Sequence, residues 1–419
     1  MTILVSKALI VDPHSPFHNS ISDILIKDGK IIDISKDITA DADIKIEEKG
    51  LCVSPGWADL FSNFNDPGNE HRETLESGAA AAVSGGYTQV FVIPNTNPVV
   101  DSKGQVEYIV QKSKELPVTI RPLGAVTKKC EGKELAEMYD MKNSGAIAFS
   151  DGICPVQNPG LLLKALQYVT AFDGTIIQLP VEKSLSNGLM NEGIISTRMG
   201  LPGIPSIAEE LAIKRDLELV KYTESKIHFT GVSTANSIRL ISQAKSEGLN
   251  VTCSVTPYHL LFSEDDLQGY DTNLKVSPPL RTKGDVEALK EAVLTGEIDC
   301  IATHHLPHHL DNKIVEFEYA KDGMIGLETC FGIINKVLPQ LRNERLIELM
   351  SLNARRITGM ESCSITVGNT AELSLFNREQ NYIFEAKDIR SRSANTPFKG
   401  QELKGKAIGI INKGKFYPN

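Results

Sequence analysis

The chain predicts an α/β fold centred on a parallel sheet, and three observations point there. Strand-like and helix-like runs alternate through the middle of the 419 residues, the pattern left by βα units. Eight runs read as strands: Cys52 to Phe61, Thr88 to Ile93, Val118 to Val126, Ala146 to Ser150, Thr175 to Leu179, Ile227 to Gly231, Val251 to Thr256 and Cys300 to Thr303. Eight such units over about 300 residues predict a (β/α)₈ barrel of the TIM type spanning 55–365. Both chain ends, by contrast, read as β-structure alone.

At the N-terminal end, residues 3–11 and 22–34 alternate apolar and polar side chains, and Lys27-Asp28-Gly29-Lys30 is a good hairpin turn. At the other end, Ala371 to Phe376 and Gly405 to Ile411 read as short strands. The expectation is a small composite β-sandwich built from 1–54 and 366–419, flanking the barrel. Among the central helices the clearest is 206–222. There Ser206 and Glu209 are spaced as a capping box behind Pro205, and Ile213, Leu217 and Val220 recur at helical spacing. Gly85-Gly86 opens no helix, so it is a tight loop before a strand and not a phosphate cradle.

Composition removes several function classes. With 41% hydrophobic and 23% charged residues, the chain is an ordinary soluble globular protein. Its 44 basic and 53 acidic residues give a net charge of -9, which argues against nucleic-acid and anionic-membrane partners. The first residues lack the apolar core of a signal peptide, and no run approaches the roughly 20 apolar residues of a membrane span. Seven cysteines, scattered and without a CxxC pair, are expected as reduced thiols in a cytoplasmic protein. Cys253 and Cys300 sit in apolar runs, where they act as small buried hydrophobes.

The segment Asp59-Leu60-Phe61-Ser62-Asn63-Phe64-Asn65-Asp66-Pro67-Gly68 follows Val53-Ser54-Pro55-Gly56 and precedes a helix-like run from Glu70 to Ala82. Further motifs come in order: Gly85-Gly86-Tyr87-Thr88 with Pro94-Asn95-Thr96-Asn97-Pro98; Ala148-Phe149-Ser150-Asp151-Gly152; VTCSVTPYHLL from Val251 to Leu261; Ser277-Pro278-Pro279-Leu280-Arg281; Asp299 to His308; and Ser391 to Phe398. Together they resemble, along nearly the whole chain, the dihydroorotase branch of the cyclic amidohydrolases, metal-dependent hydrolases, in its multifunctional-complex type. The resemblance implies the barrel and names the positions that hold its chemistry.

In that family the first motif reads Asp-x-His-x-His-x-Arg-x-Pro-Gly. Residues two apart on a strand face the same way, so its histidines aim two imidazoles at one ion. Here the two places hold Phe61, which cannot ligate, and Asn63, a neutral amide and a poor zinc ligand. The Arg place, which grips a substrate carboxylate as a fork, holds Asn65. The resemblance puts Gln178 and Gly231 at two further ligand-histidine places, keeps Asp151 of a pair of acids, and puts His304 where the family has its catalytic Asp. Relic substrate contacts are Asn65, Asn95, Ser277 and His308.

Hydrolysis of a cyclic amide at neutral pH needs a metal-activated water and a base. Losses at metal, base and carboxylate places together imply a dihydroorotase-like protein of de novo pyrimidine biosynthesis without turnover. On that reading no cofactor is expected, and the chain serves as a structural or regulatory partner of aspartate carbamoyltransferase, as a homodimer. The alternative is an active cyclic-amide hydrolase, cleaving a non-peptide C–N bond, with zinc in a rearranged site near His304, His305 and His308. Four histidines within His304 to His309 suit weak transition-metal binding. His228 and His259, among apolar neighbours, read as structural, and so does Asp59.

Overall fold

The computed structural model describes residues 1–361 and 363–419. Five strands open the chain: β1 (Thr2–Ile10), β2 (Ile21–Lys27), β3 (Lys30–Ser35), β4 (Ile44–Glu47) and β5 (Cys52–Pro55). The central strands are β6 (Trp57–Ser62), β7 (Tyr87–Val92), β8 (Thr119–Pro122) and β9 (Ile176–Gln178), then, after a two-residue pair β10 (Met190–Asn191) and β11 (Gly203–Ile204), β12 (Ile227–Phe229), β13 (Val251–Val255) and β14 (Cys300–Ile301). Three strands close it: β15 (Leu373–Ile383), β16 (Glu402–Asn412) and β17 (Lys415–Pro418). The helices are α1 (Leu75–Ser84), α2 (Lys103–Lys112), α3 (Met138–Asn143), α4 (Pro159–Thr170), α5 (Ile194–Met199), α6 (Ile207–Thr223), α7 (Ala235–Ser246), α8 (Lys283–Thr295), α9 (Cys330–Val337), α10 (Asn343–Ile347) and α11 (Asn353–Ile357).

The two chain ends share one sheet, in the order β17-β16-β15-β5-β1-β2-β3 with β4 beside β1. The terminal strands are thus continuous in their pairing, and both chain ends contribute to the same sheet. The link is β5, which runs parallel to β1 on one side and antiparallel to β15 on the other. Alternate residues Ile3, Val5, Ile24 and Ile26 join Leu373, Leu375 and Ile411 in a buried cluster of this sheet's own.

The central strands pair in parallel as β6-β7-β8 and as β9-β12-β13-β14. The expected strand at 146–150 is the one that fails to form a regular ladder. Only Phe149 bridges, to Gly124 on one side and Ile176 on the other, so it still joins the two groups. At the other junction Ser62 bridges His305, with the Asn63 amide donating to the His305 carbonyl at 2.8 Å. Pairing therefore returns to the strand where it began. One buried cluster holds Leu60, Phe61, Phe91, Leu123 and Ile177, while intervening residues such as Val90, Val92, Ile176 and Phe229 pack in a second cluster with helix residues Leu75, Val106 and Ile213.

The run read as one strand, Cys52 to Phe61, is split by Gly56, and its halves belong to different sheets. A Cβ at Gly56 would lie 2.1 Å from Thr88 Oγ1, so the crossing needs glycine. Trp57 stitches the parts together: its indole stacks near Phe331 at 4.8 Å and Phe376 at 5.2 Å, and its Nε1 donates to Ser54 Oγ at 3.0 Å. The predicted capping box is also absent. Ser206 already has helical φ/ψ of -57° and -31° and makes no side-chain cap, and Glu209 faces elsewhere. Among the described residues no helix is long and apolar enough to cross a membrane.

Candidate functional site at the ends of the central strands

Phe61, near the end of β6, meets His304, three residues beyond β14. Both are buried, and their rings stack with centroids 4.4 Å apart and planes 30° off parallel. Gly231, two residues beyond the end of β12, lies against the same imidazole: a Cβ there would sit 2.5 Å from His304 Cε1. His304 adopts φ +46°, a left-handed conformation unusual for a side-chain-bearing residue. Its Nε2 is 2.8 Å from Thr230 Oγ1, which is 3.0 Å from Ser254 Oγ, which is 3.0 Å from His228 Nε2. His228 Nδ1 ends the chain on Thr252 Oγ1 at 2.9 Å. Burial pushes both imidazoles down to about 3, so this chain of groups is neutral at physiological pH.

The remaining candidate residues diverge from that centre. Asn63 Oδ1 accepts from the Asn65 amide at 2.8 Å, a local turn with Asn65 at φ +57°. Asn65 Nδ2 is buried with no acceptor among the described residues. Asp151 accepts the Val126 and Thr127 amides at 2.9 Å each and the Thr127 hydroxyl. Burial nevertheless raises its carboxyl to about 6. Asn95 braces the same turn, donating to the Asp151 carbonyl at 3.1 Å and accepting from the Ile153 amide at 3.0 Å. Gln178 donates to the Val156 carbonyl at 3.2 Å and reaches Asp216 at 3.4 Å, towards α6.

The histidine run also fans apart. His305 Nδ1 accepts from the Gly326 amide, which leaves its Nε2 to donate to buried Glu73 at 3.2 Å. Burial works against the Glu73 charge, yet His305, Ser391 and Ser77 together hold it below the usual carboxylate range. His308 Nε2 donates to the Asp322 carbonyl at 2.9 Å, and burial pushes this imidazole down to about 4. His309 is paired with Asp311 at the surface. Among the described residues no three His, Cys, Asp or Glu side chains converge as a metal-binding group.

Beside this centre lies a cleft of about 290 Å³, walled by Leu179, Val181, Leu189 and Ile204, with Ser277 and Lys183 among its polar residues. Glu209 and Arg281 also line it, both nearly fully buried, with Nη2 and Oε2 3.6 Å apart. Glu209 accepts the Ser233 and Thr234 amides at 2.9 and 3.2 Å, and Arg281 donates to Asn191 at 2.9 Å and to Ser233 Oγ at 3.0 Å.

Comparison with known proteins then gives the relationship. The family model for dihydro-orotase-like proteins matches residues 50–237. A dihydroorotase of Pelobacter propionicus is 38% identical over 420 residues, covering 99% of both chains. One of Caldanaerobacter subterraneus subsp. tengcongensis is 40% identical, covering 99% of this chain and 97% of its own. The chain belongs to the dihydroorotase family. Among solved structures, the L-hydantoinase of Arthrobacter aurescens superposes with a TM-score of 0.88 at 24% identity, covering 100% of this chain and 96% of that one, a likeness of fold.

Dihydroorotase-family proteins of the resembled kind hold zinc at these strand ends, and the residues here do not fit it. Phe61 and Gly231 offer no donor atom, the Asn63 oxygen and both Asp151 oxygens accept protein donors, and Gln178 points to α6. His304 brings an imidazole into the centre, and its Nε2 is engaged by Thr230. What the sequence reading missed is the polar chain and the Glu209–Arg281 pair. A signal existed for the first: His228-x-Thr230 and Thr252-x-Ser254 both have period two, which puts four hydrogen-bonding side chains on one face of paired strands.

Proposed function

We propose that this dihydroorotase-family chain does not hydrolyse dihydroorotate and serves pyrimidine biosynthesis as a structural or regulatory partner of aspartate carbamoyltransferase. The single observation that carries this reading is the Phe61–His304 stack, two packed aromatic faces at positions that the resemblance matches to the family's ligand and catalytic residues. The same reading takes the returning circuit of parallel strands as a (β/α)₈ barrel over 55–365. It takes the terminal sheet as a separate unit of 1–54 and 366–419, and the chain as a cytoplasmic homodimer without a cofactor. Asn65, Asn95, Ser277 and His308 are then relics of a substrate site.

Identity of 36–40% over 99% of the chain with proteins named dihydroorotase favours the second reading, a working cyclic-amide hydrolase. Two measurements on untagged protein divide them. The first is metal per chain by mass spectrometry after dialysis; the second is co-elution with aspartate carbamoyltransferase in size-exclusion chromatography. The proposal expects no stoichiometric ion and a joint peak. A stoichiometric ion with separate peaks supports the hydrolase.

A further inference from the structure

We infer that Phe61, Gly231 and His304 form one interlocked plug, so that no single reversion reopens the centre to a ligand. The inference rests on the reading of this place as the family's former metal site, but its test reads stability and not turnover. The His304 imidazole lies between two neighbours. One face stacks on Phe61 at 4.4 Å. Its Cε1 edge occupies the space a Gly231 side chain would need, at 2.5 Å from an ideal Cβ, closer than real Cβ contacts come. Its Nε2 is held by Thr230 at 2.8 Å. Glycine at 231 therefore leaves room for the imidazole, and the imidazole gives Phe61 its packing partner. The backbone supports the same unit: residue 304 is held at φ +46° and residue 231 at φ +71°.

Any larger residue at 231, a histidine included, meets His304 before it can reach an ion. A histidine at 61 replaces the phenyl face by a smaller, polar ring and still faces an imidazole already bonded to Thr230. Conversely, removing the imidazole leaves a flat void between an aromatic face and a glycine, with a hydroxyl at one end. That void has the shape and polarity of free imidazole.

A double-mutant cycle tests this, with Gly231→Ala, His304→Gly and the pair. The strain of alanine at φ +71° is common to both backgrounds and cancels, and glycine suits the φ of residue 304. The plug predicts that Gly231→Ala lowers Tm by several degrees more in the presence of His304 than in its absence. It also predicts that millimolar imidazole raises the Tm of His304→Gly and leaves the parent unchanged. Equal Tm losses in both backgrounds, or no imidazole response in His304→Gly, would overturn the interlock. Should Gly231→Ala fail to fold alone, recovery of a cooperative transition in the double variant counts for the plug, and failure of both variants counts against it. Dihydroorotate turnover by the parent protein would sink the proposed function and leave this stability result to stand or fall by itself.

Discussion

At Asp151 a carboxylate that could by type ligate a metal gives its oxygens to two amides and a hydroxyl of the 126–127 turn. Residue type suggested a ligand; only the fold shows the donors already there. Asp151→Ala should therefore act on stability, since each amide left without an acceptor costs about 1–3 kcal/mol, and urea unfolding reads the loss. Phe61→Ala removes the aromatic neighbour of His304 and a fully buried ring, with an expected loss of about 3–5 kcal/mol in the same assay. An unchanged unfolding midpoint for Phe61→Ala would mean that the stack contributes no packing. That Phe61 and Gly231 carry no ligating side chain could be read from the residues alone, because side-chain chemistry needs no coordinates. The left-handed backbone of His304 could not be read that way, because its neighbours Phe61, Thr230 and Gly231 come from distant parts of the chain.

Among the elements, α6 shows how a local signal yields to a distant one. Ser206 and Glu209 have capping-box spacing, yet Glu209 turns to Ser233, Thr234 and Arg281, where two amides and a guanidinium outweigh one local amide. Removing one partner of a buried pair leaves the other charge uncompensated. Glu209→Ala should thus lose about 3–5 kcal/mol, whereas the paired change Glu209→Gln with Arg281→Met should lose less. Chemical denaturation of both variants compares them, and equal losses would show that Arg281 does not depend on Glu209. The strands that alternate apolar and polar residues were legible, as were the long apolar runs of the central sheet. The run at 146–150 was harder, since a strand that bridges through one residue differs little in sequence from a longer one. The change of sheet at Gly56 was hidden because β5 and β6 make a single apolar run, and only the approach of Thr88 shows why glycine divides it.

For the molecule as a whole, buried titratable groups set the acid response. Burial depresses His228 and His304 to about 3 and His259 and His308 to about 4, below the ordinary 6.5. Between those values the unfolded chain binds protons that the native chain refuses, so stability falls as pH drops below about 6.5. Burial raises Asp151 and Asp216 to about 6, which acts in the opposite sense between pH 3.8 and 6. Burial also raises Asp59, Asp322 and Glu328, which act in that same opposing sense, so the histidine contribution is read at a single residue. His304→Gly removes one contributor, so its Tm should fall less between pH 7 and 5 than the parent's. A parallel fall would mean that His304 titrates normally in the folded chain.

On the proposed reading, this dihydroorotase-family fold no longer carries the family's hydrolysis, and catalysis tests that directly. The measurement is the rate of dihydroorotate ring opening by untagged, zinc-supplemented protein beside its His304→Ala variant. Neither protein should show a rate above buffer. A rate in the parent that disappears in His304→Ala would contradict that reading.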